Sequence, residues 1–159
     1  MTPQQQHIRD AILGQLQANS LNFQHITHEH IDAHQVAKEV GVAVQEGIKC
    51  LIMRGKKSGT NYLICVLGHQ RVDMHALAEL TQEKCEFEKA EVIKERYGLE
   101  VGGIPPFGNF LGLDIYFDVG IQNCQDIIFS CGLVNESVRM RLGDLLLLIQ
   151  PRFVRLVKG

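Results

Sequence analysis

Lys49 and the segment Val101-Gly102-Gly103-Ile104-Pro105-Pro106-Phe107-Gly108 are, by residue type and spacing, best suited to chemistry. Glycine permits positive φ and lets a ligand approach bare backbone, whereas each proline fixes φ near −65° and has no N–H to donate. Gly102, Gly103 and Ile104 retain amides that can meet a carbonyl or a developing oxyanion. Pro105, Pro106 and Phe107 can only shape and exclude, and Gly108 completes the candidate substrate wall. The same composition also suits an ordinary connector, because Gly and Pro punctuate most loops. Lys49 interrupts the apolar run Ile48 to Met53. Its stem can lie along a sheet with the ammonium in solvent, or the ammonium can line a cleft as a fixed positive charge for a phosphate or carboxylate oxygen.

Other chemistries lack their signatures. The chain has no G-x-x-x-x-G-K-[ST], G-x-G-x-x-G, H-E-x-x-H or G-x-S-x-G motif, so nucleotide-binding, zinc-protease and nucleophile-elbow readings have no support. His25, His28, His30 and His34 invite a metal reading. However, His28 and His30 stand at strand spacing and no third ligand of fixed geometry accompanies them. Surface or edge-strand histidines are expected, with no metal and no cofactor. Sixteen basic residues against eighteen acidic give a net charge of −2, so any nucleic-acid contact must be local. Arg54, Lys56 and Lys57, with Arg139, Arg141, Arg152 and Arg155, are the candidate phosphate contacts; solvated surface charge is the plain alternative. The run Glu83 to Glu95 reads as a solvated helical face. Five cysteines without C-x-x-C spacing suit a reducing, cytoplasmic setting. Neither a leader nor an apolar stretch of ~18 residues is present, so the expectation is no export and no membrane.

The elements that must position these residues follow from periodicity. Thr2 and Pro3 open a helix over about 3–18, and Asp32 precedes a second that Gly41 stops. Ile48–Met53 and Tyr62–Leu67 form a buried hairpin with a basic tip. A short helix follows Asp73, and a helix over Ala90–Tyr97 ends at Gly98, delivering the chain into the glycine-proline loop. Strands over Ile115–Val119, Ile127–Cys131 and Val138–Leu142, a short Asp144-led helix and a strand over Phe153–Val157 close the chain. The expected architecture is one α+β domain over 1–159, with a mixed, curved, partial-barrel-like sheet flanked by helices.

In series, Gly47-Ile48-Lys49-Cys50-Leu51-Ile52, Gly68-His69-Gln70-Arg71-Val72-Asp73, Ala90-Glu91-Val92 and Gly102-Gly103-Ile104-Pro105-Pro106-Phe107-Gly108 resemble the YbaK-type, prolyl-tRNA-synthetase-associated editing-domain family. The likeness extends through Asp118, Phe129-Ser130-Cys131-Gly132 and Ile149-Gln150-Pro151. It implies a free-standing, metal-independent hydrolase that removes a wrong, small amino acid from tRNA at the CCA end. The first acceptor it suggests is tRNA-Pro, and a synthetase is a possible partner. It also implies that Lys49 is functionally important and that the G-x-x-x-P loop, Gly102 to Pro106, forms part of the substrate pocket. Gly132 is expected close by, in Cys131-Gly132-Leu133-Val134-Asn135. Two rivals stay open: a binding module of the same fold without hydrolysis, and a metal-dependent hydrolase using the early histidines. The amino acid edited and the oligomeric state are not legible in the sequence.

Overall fold

The computed structural model describes residues 1–158. Helix α1 spans Pro3–Ala18, and it starts where the sequence predicts. Thr2 accepts from the Gln5 amide while the Gln5 side chain accepts from the Thr2 amide, a reciprocal capping box with Pro3 at the first helical position. Ile12 and Leu16 on its inner face are fully buried. Strand β1 (Phe23–Thr27) leads to α2 (Ala33–Val40), capped by Asp32 and ended at Gly41. A 3-10 turn at Val44–Glu46 then feeds the hairpin of β2 (Ile48–Gly55) and β3 (Asn61–Leu67). Asp73 caps α3 (Met74–Thr81), and β4 (Cys85–Phe87) and α4 (Ala90–Tyr97) follow. Gly98 ends α4 at φ 70°, a left-handed position that glycine occupies without a Cβ penalty.

Beyond the glycine-proline loop come α5 (Gly108–Leu111), β5 (Ile115–Asp118), β6 (Asp126–Leu133), β7 (Glu136–Arg141), α6 (Leu142–Leu148) and β8 (Arg152–Val154). The α5 turn is not among the expected elements, and β8 is shorter than the expected Phe153–Val157. Helix α6 begins directly at the end of β7 with no side-chain cap, not at Asp144. The mixed charged run Glu83 to Glu95 is not one helical face: Cys85–Phe87 pairs with β2 as an edge strand. Glu88 within it is buried, accepting from Asn61 at 2.9 Å and facing Arg96 at 3.9 Å. A strand of three residues is too short to show its period beside so many charges.

The strands form two sheets that do not close into a barrel. One is antiparallel in the order β1-β7-β6, and the other is mixed in the order β4-β2-β3-β5-β8. In the second, β2 pairs antiparallel with β3 and β4, whereas β3–β5 and β5–β8 are parallel. The main core lies between α1 and the inner faces of both sheets, with Phe107, Phe117, Phe129, Leu63 and Ile127 among its buried members. A single bridge between Gly47 and Ile128 brings the sheets edge to edge. A cleft opens beside that bridge.

Candidate active site

The cleft has a volume of about 330 Å³ and draws its walls from five places in the chain. Residues 28–37 and Val44 form one side, and the start of β2 supplies Ile48, Lys49, Cys50 and Leu51. Val101, Gly102 and Ile104 come from the loop after α4, Ile128 and Ser130 from β6, and Val134 and Ser137 from the following turn and β7. Most of the lining is aliphatic, with few polar groups in an apolar surround, as expected for a small-ligand site. Ile31 and Val101 at the lip are 56% and 55% exposed.

Lys49 is at the cleft, half-buried. Its Nζ donates to the Gln70 carbonyl at 2.8 Å, which leaves two N–H groups for a ligand. Burial, and secondarily the positive charge of Arg71, holds its pKa below the ordinary lysine value. Gly102 and Ile104 also line the cleft, and among the described residues no protein acceptor takes either amide. Gly102 adopts φ 94°, a backbone conformation that strains residues with a Cβ.

The remaining loop residues perform other tasks. The Gly103 amide donates to the Glu100 carbonyl at 2.9 Å, closing a turn. Its bare Cα lies so close to the β6–β7 connection that an added Cβ would stand 3.0 Å from the Leu133 carbonyl carbon. Pro105, Pro106, Phe107 and Gly108 are buried and do not border the cleft. Phe107 stacks on Phe110 at 5.6 Å and tilts against Phe129 at 5.8 Å, so it is a core residue supporting the wall from behind. Gly108 allows close approach, since a Cβ there would meet the Leu113 carbonyl oxygen at 2.5 Å. Gly132, at φ 109°, packs beneath α1 against Ile8, on the far side of its sheet from the cleft.

The basic candidates are separate from the cleft. Lys56 and Lys57 are exposed at the hairpin tip, about 20 Å along β2 from Lys49 at ~3.3 Å per residue. Arg54 pairs with Glu86 at 3.1 Å, Arg139 bridges Glu46 at 3.2 Å and Asp126 at 3.6 Å, and Arg152 lies over the Tyr116 ring at 5.4 Å. Arg155 donates to the Val157 carbonyl at 3.4 Å. Asp118 is structural in its contacts. Buried at the end of β5, it accepts from the Gly120 amide at 2.9 Å and the Leu156 amide at 2.8 Å.

The early histidines do not converge. His30 is held by Glu39 at 2.6 Å, His34 is exposed, and His28 is buried rather than at the surface. His28 bonds the His30 carbonyl through Nδ1 at 2.6 Å and the Ser137 hydroxyl through Nε2 at 2.8 Å. His25 lies with Cys131 and Glu136, their ligand atoms within 4.8 Å of one another. Glu136 is already engaged by Arg9 at 3.2 Å and His25 at 2.6 Å. Burial, and to a lesser degree Glu136, raises the Cys131 thiol to about 12. A protonated thiol beside a guanidinium is a poor cation site. In the sequence His28 stands out only as a metal-ligand candidate at strand spacing from His30, and Ser137 not at all; neither carries a local signal of a partner across the sheet.

The backbone as a whole matches solved α+β proteins along nearly their full lengths. A candidate trans-editing enzyme for prolyl-tRNA synthetase superposes with a TM-score of 0.81 at 24% identity, covering 100% of this chain and 99% of the other. The hypothetical protein APE2540 does so with a TM-score of 0.80 at 18% identity, over 92% and 99%. Residues 28–148 match the aminoacyl-tRNA editing domain, and the chain belongs to that family. Among curated relatives, the multifunctional Ser/Thr-tRNA deacylase ProXp-y of Escherichia coli K12 is 26% identical over 148 residues, 90% of this chain and 89% of that protein. The uncharacterized protein YwhH of Bacillus subtilis is 26% identical over 111 residues, 70% of each chain.

Proposed function

We infer that this chain is a free-standing aminoacyl-tRNA deacylase, and that the cleft beside Lys49 holds the aminoacylated terminal adenosine. One observation carries the reading: in a member of the editing family, a lysine ammonium with two unused N–H groups stands at one small cleft that Gly102 and Ile104, whose amides no described protein acceptor takes, also line. An aminoacyl ester is already activated, so its hydrolysis needs a positioned water and stabilisation of the tetrahedral oxyanion, not a protein nucleophile. Each well-placed donor to that oxyanion is worth about 100- to 1000-fold in rate. Gly102 and Ile104 are the donors, Lys49 anchors a phosphate or other polar group of the CCA end, and Ile31 and Val101 offer exposed apolar surface to the terminal base. The ribose hydroxyl of the substrate positions the water, and no metal takes part. Pro105, Pro106, Phe107 and Gly108 act by holding the loop, and Gly103 by closing its turn.

The cleft volume favours a small amino acid, in keeping with a relative named for seryl- and threonyl-tRNA. The proposed first acceptor is tRNA-Pro, with prolyl-tRNA synthetase as the natural partner and the cytoplasm as the setting. Among the described residues no helix is long and apolar enough to cross a membrane. Deacylation of mischarged tRNAs by wild-type protein and Lys49→Ala tests the reading. Release of amino acid that survives a chelator and falls at least 100-fold in the variant supports it. A stable complex with aminoacyl-tRNA and no release establishes the binding-module alternative instead.

A further inference from the structure

Two serine hydroxyls in the cleft have their protons committed to protein acceptors. Ser130 and Ser137 are directly opposed across β6 and β7, and both line the cleft. The Ser130 hydroxyl lies 2.8 Å from the Gly102 carbonyl; a carbonyl only accepts, so Ser130 donates. Ser137 reaches the same state through His28. The His30 carbonyl, 2.6 Å from Nδ1, requires the hydrogen on Nδ1. In the neutral imidazole, Nε2 is then an acceptor, and the Ser137 hydroxyl at 2.8 Å donates to it. Each serine therefore retains only lone pairs for a ligand.

Opposed strand residues place their Cβ atoms about 5 Å apart, a separation that one ammonium spans with hydrogen bonds of ~2.8 Å. Asp32, the one acidic residue in its lining, caps α2 through Oδ2 alone, accepting from the His34 and Gln35 amides at 3.1 and 3.2 Å. Its Oδ1 is a rival acceptor for an ammonium, so only a preference that falls on substitution of Ser130 or Ser137 belongs to the serines. His28 and Ser137 are each only 4% exposed, so their bond is shielded from bulk water and holds the hydroxyl in one orientation.

We propose that Ser130 and Ser137, the latter oriented by His28, form an acceptor pair that recognises a hydrogen-bond donor on the aminoacyl group. Two donors fit this chemistry, the α-ammonium and a side-chain hydroxyl. The inference rests on the cleft being the aminoacyl-adenosine site. It requires binding but not turnover, so a chain that binds without hydrolysing would refute the deacylase reading and leave this one standing. The test is calorimetric titration of wild type, Ser130→Ala and Ser137→Ala with non-hydrolysable 3′-amide analogues of adenosine carrying serine, alanine or N-acetylalanine. A neutral hydrogen bond predicts roughly three- to tenfold tighter binding of the seryl than the alanyl analogue, and an ammonium contact predicts a larger preference for alanyl over N-acetylalanyl. Whichever preference wild type shows must fall to less than half in at least one variant. The separate positions keep the test decisive, since half-buried Ser130 can be changed without opening the buried His28 bond. Less than a threefold preference of either kind in wild type, ratios unchanged in both variants, or binding of none of the analogues would overturn the proposal.

Discussion

At the residue scale, Lys49 combines a position at the cleft with a perturbed charge. Burial and Arg71 disfavour its ammonium, so it deprotonates at lower pH than an ordinary lysine near ~10.4. If the cation anchors the CCA end, deacylation corrected for spontaneous ester hydrolysis should decline on the alkaline side before that value. Lys49→Arg, charged throughout, should lack the decline. Stability should move the other way: the unfolded chain binds more protons than the fold in this window, so stability rises with pH there. A parallel thermal-melting series separates loss of activity from alkaline unfolding. Asp118 gives a contrasting prediction. Asp118→Ala would orphan the Gly120 and Leu156 amides that its two oxygens accept. Chemical denaturation should show a loss of roughly 2–4 kcal/mol, and binding of the adenosine analogues, measured well below the unfolding midpoint, should stay within about threefold because both of these hydrogen bonds lie outside the cleft.

At the element scale, the wall formed by residues 28–32 has no regular structure of its own and depends on α2. Glu39 on that helix accepts from the Glu29 amide at 2.8 Å, the His30 amide at 3.0 Å and the His30 imidazole at 2.6 Å. These bonds lower its pKa to about 2. The stabilisation is present above the ordinary glutamate value and is lost as pH falls from there towards 2. Glu39→Gln should speed hydrogen exchange at the Glu29 and His30 amides by about tenfold or more and raise KM with little change in kcat. Elements of this kind were unevenly legible. Thr2 with Gln5, Asp32, Asp73, Gly41 and Gly98 announce helix ends in local chemistry, and the hairpin over Ile48 to Leu67 shows in its apolar runs. The strand Cys85–Phe87 and the helix Gly108–Leu111 are too short to carry a period. The glycine-proline loop was legible as a shaped segment, but not in its division of labour. Whether a loop residue faces ligand or core depends on what packs around it: Phe107 stacks on Phe110 and tilts against Phe129, and Pro105 and Pro106 are buried away from the cleft.

At the scale of the whole molecule, the basic hairpin tip lies a strand's length from Lys49, too far for Lys56 or Lys57 to touch a ligand held in the cleft. A tRNA acceptor arm is long enough to reach both. Lys56→Ala with Lys57→Ala should therefore raise KM for full-length aminoacyl-tRNA and reduce the magnitude of its salt-dependence slope by about one to two. Hydrolysis of a short aminoacylated CCA fragment should be unaltered. Equal effects on both substrates would show that the tip acts through the fold and not through phosphate contact.

The sequence by itself determined the α+β class, most helix ends, the placing of Lys49 within a buried strand, and the family likeness, because each is written in neighbouring residues. Tertiary structure alone decided which of the loop amides remain free, moved Gly132 and Phe107 away from the cleft, and joined His28 to Ser137 across 109 positions of chain. The physical reason is that hydrogen-bond satisfaction and packing are settled between elements distant in sequence. Gly102 and Gly103 are adjacent and identical in kind, yet among the described residues no acceptor takes the Gly102 amide while the Gly103 amide closes a turn on Glu100; only the folded chain distinguishes them.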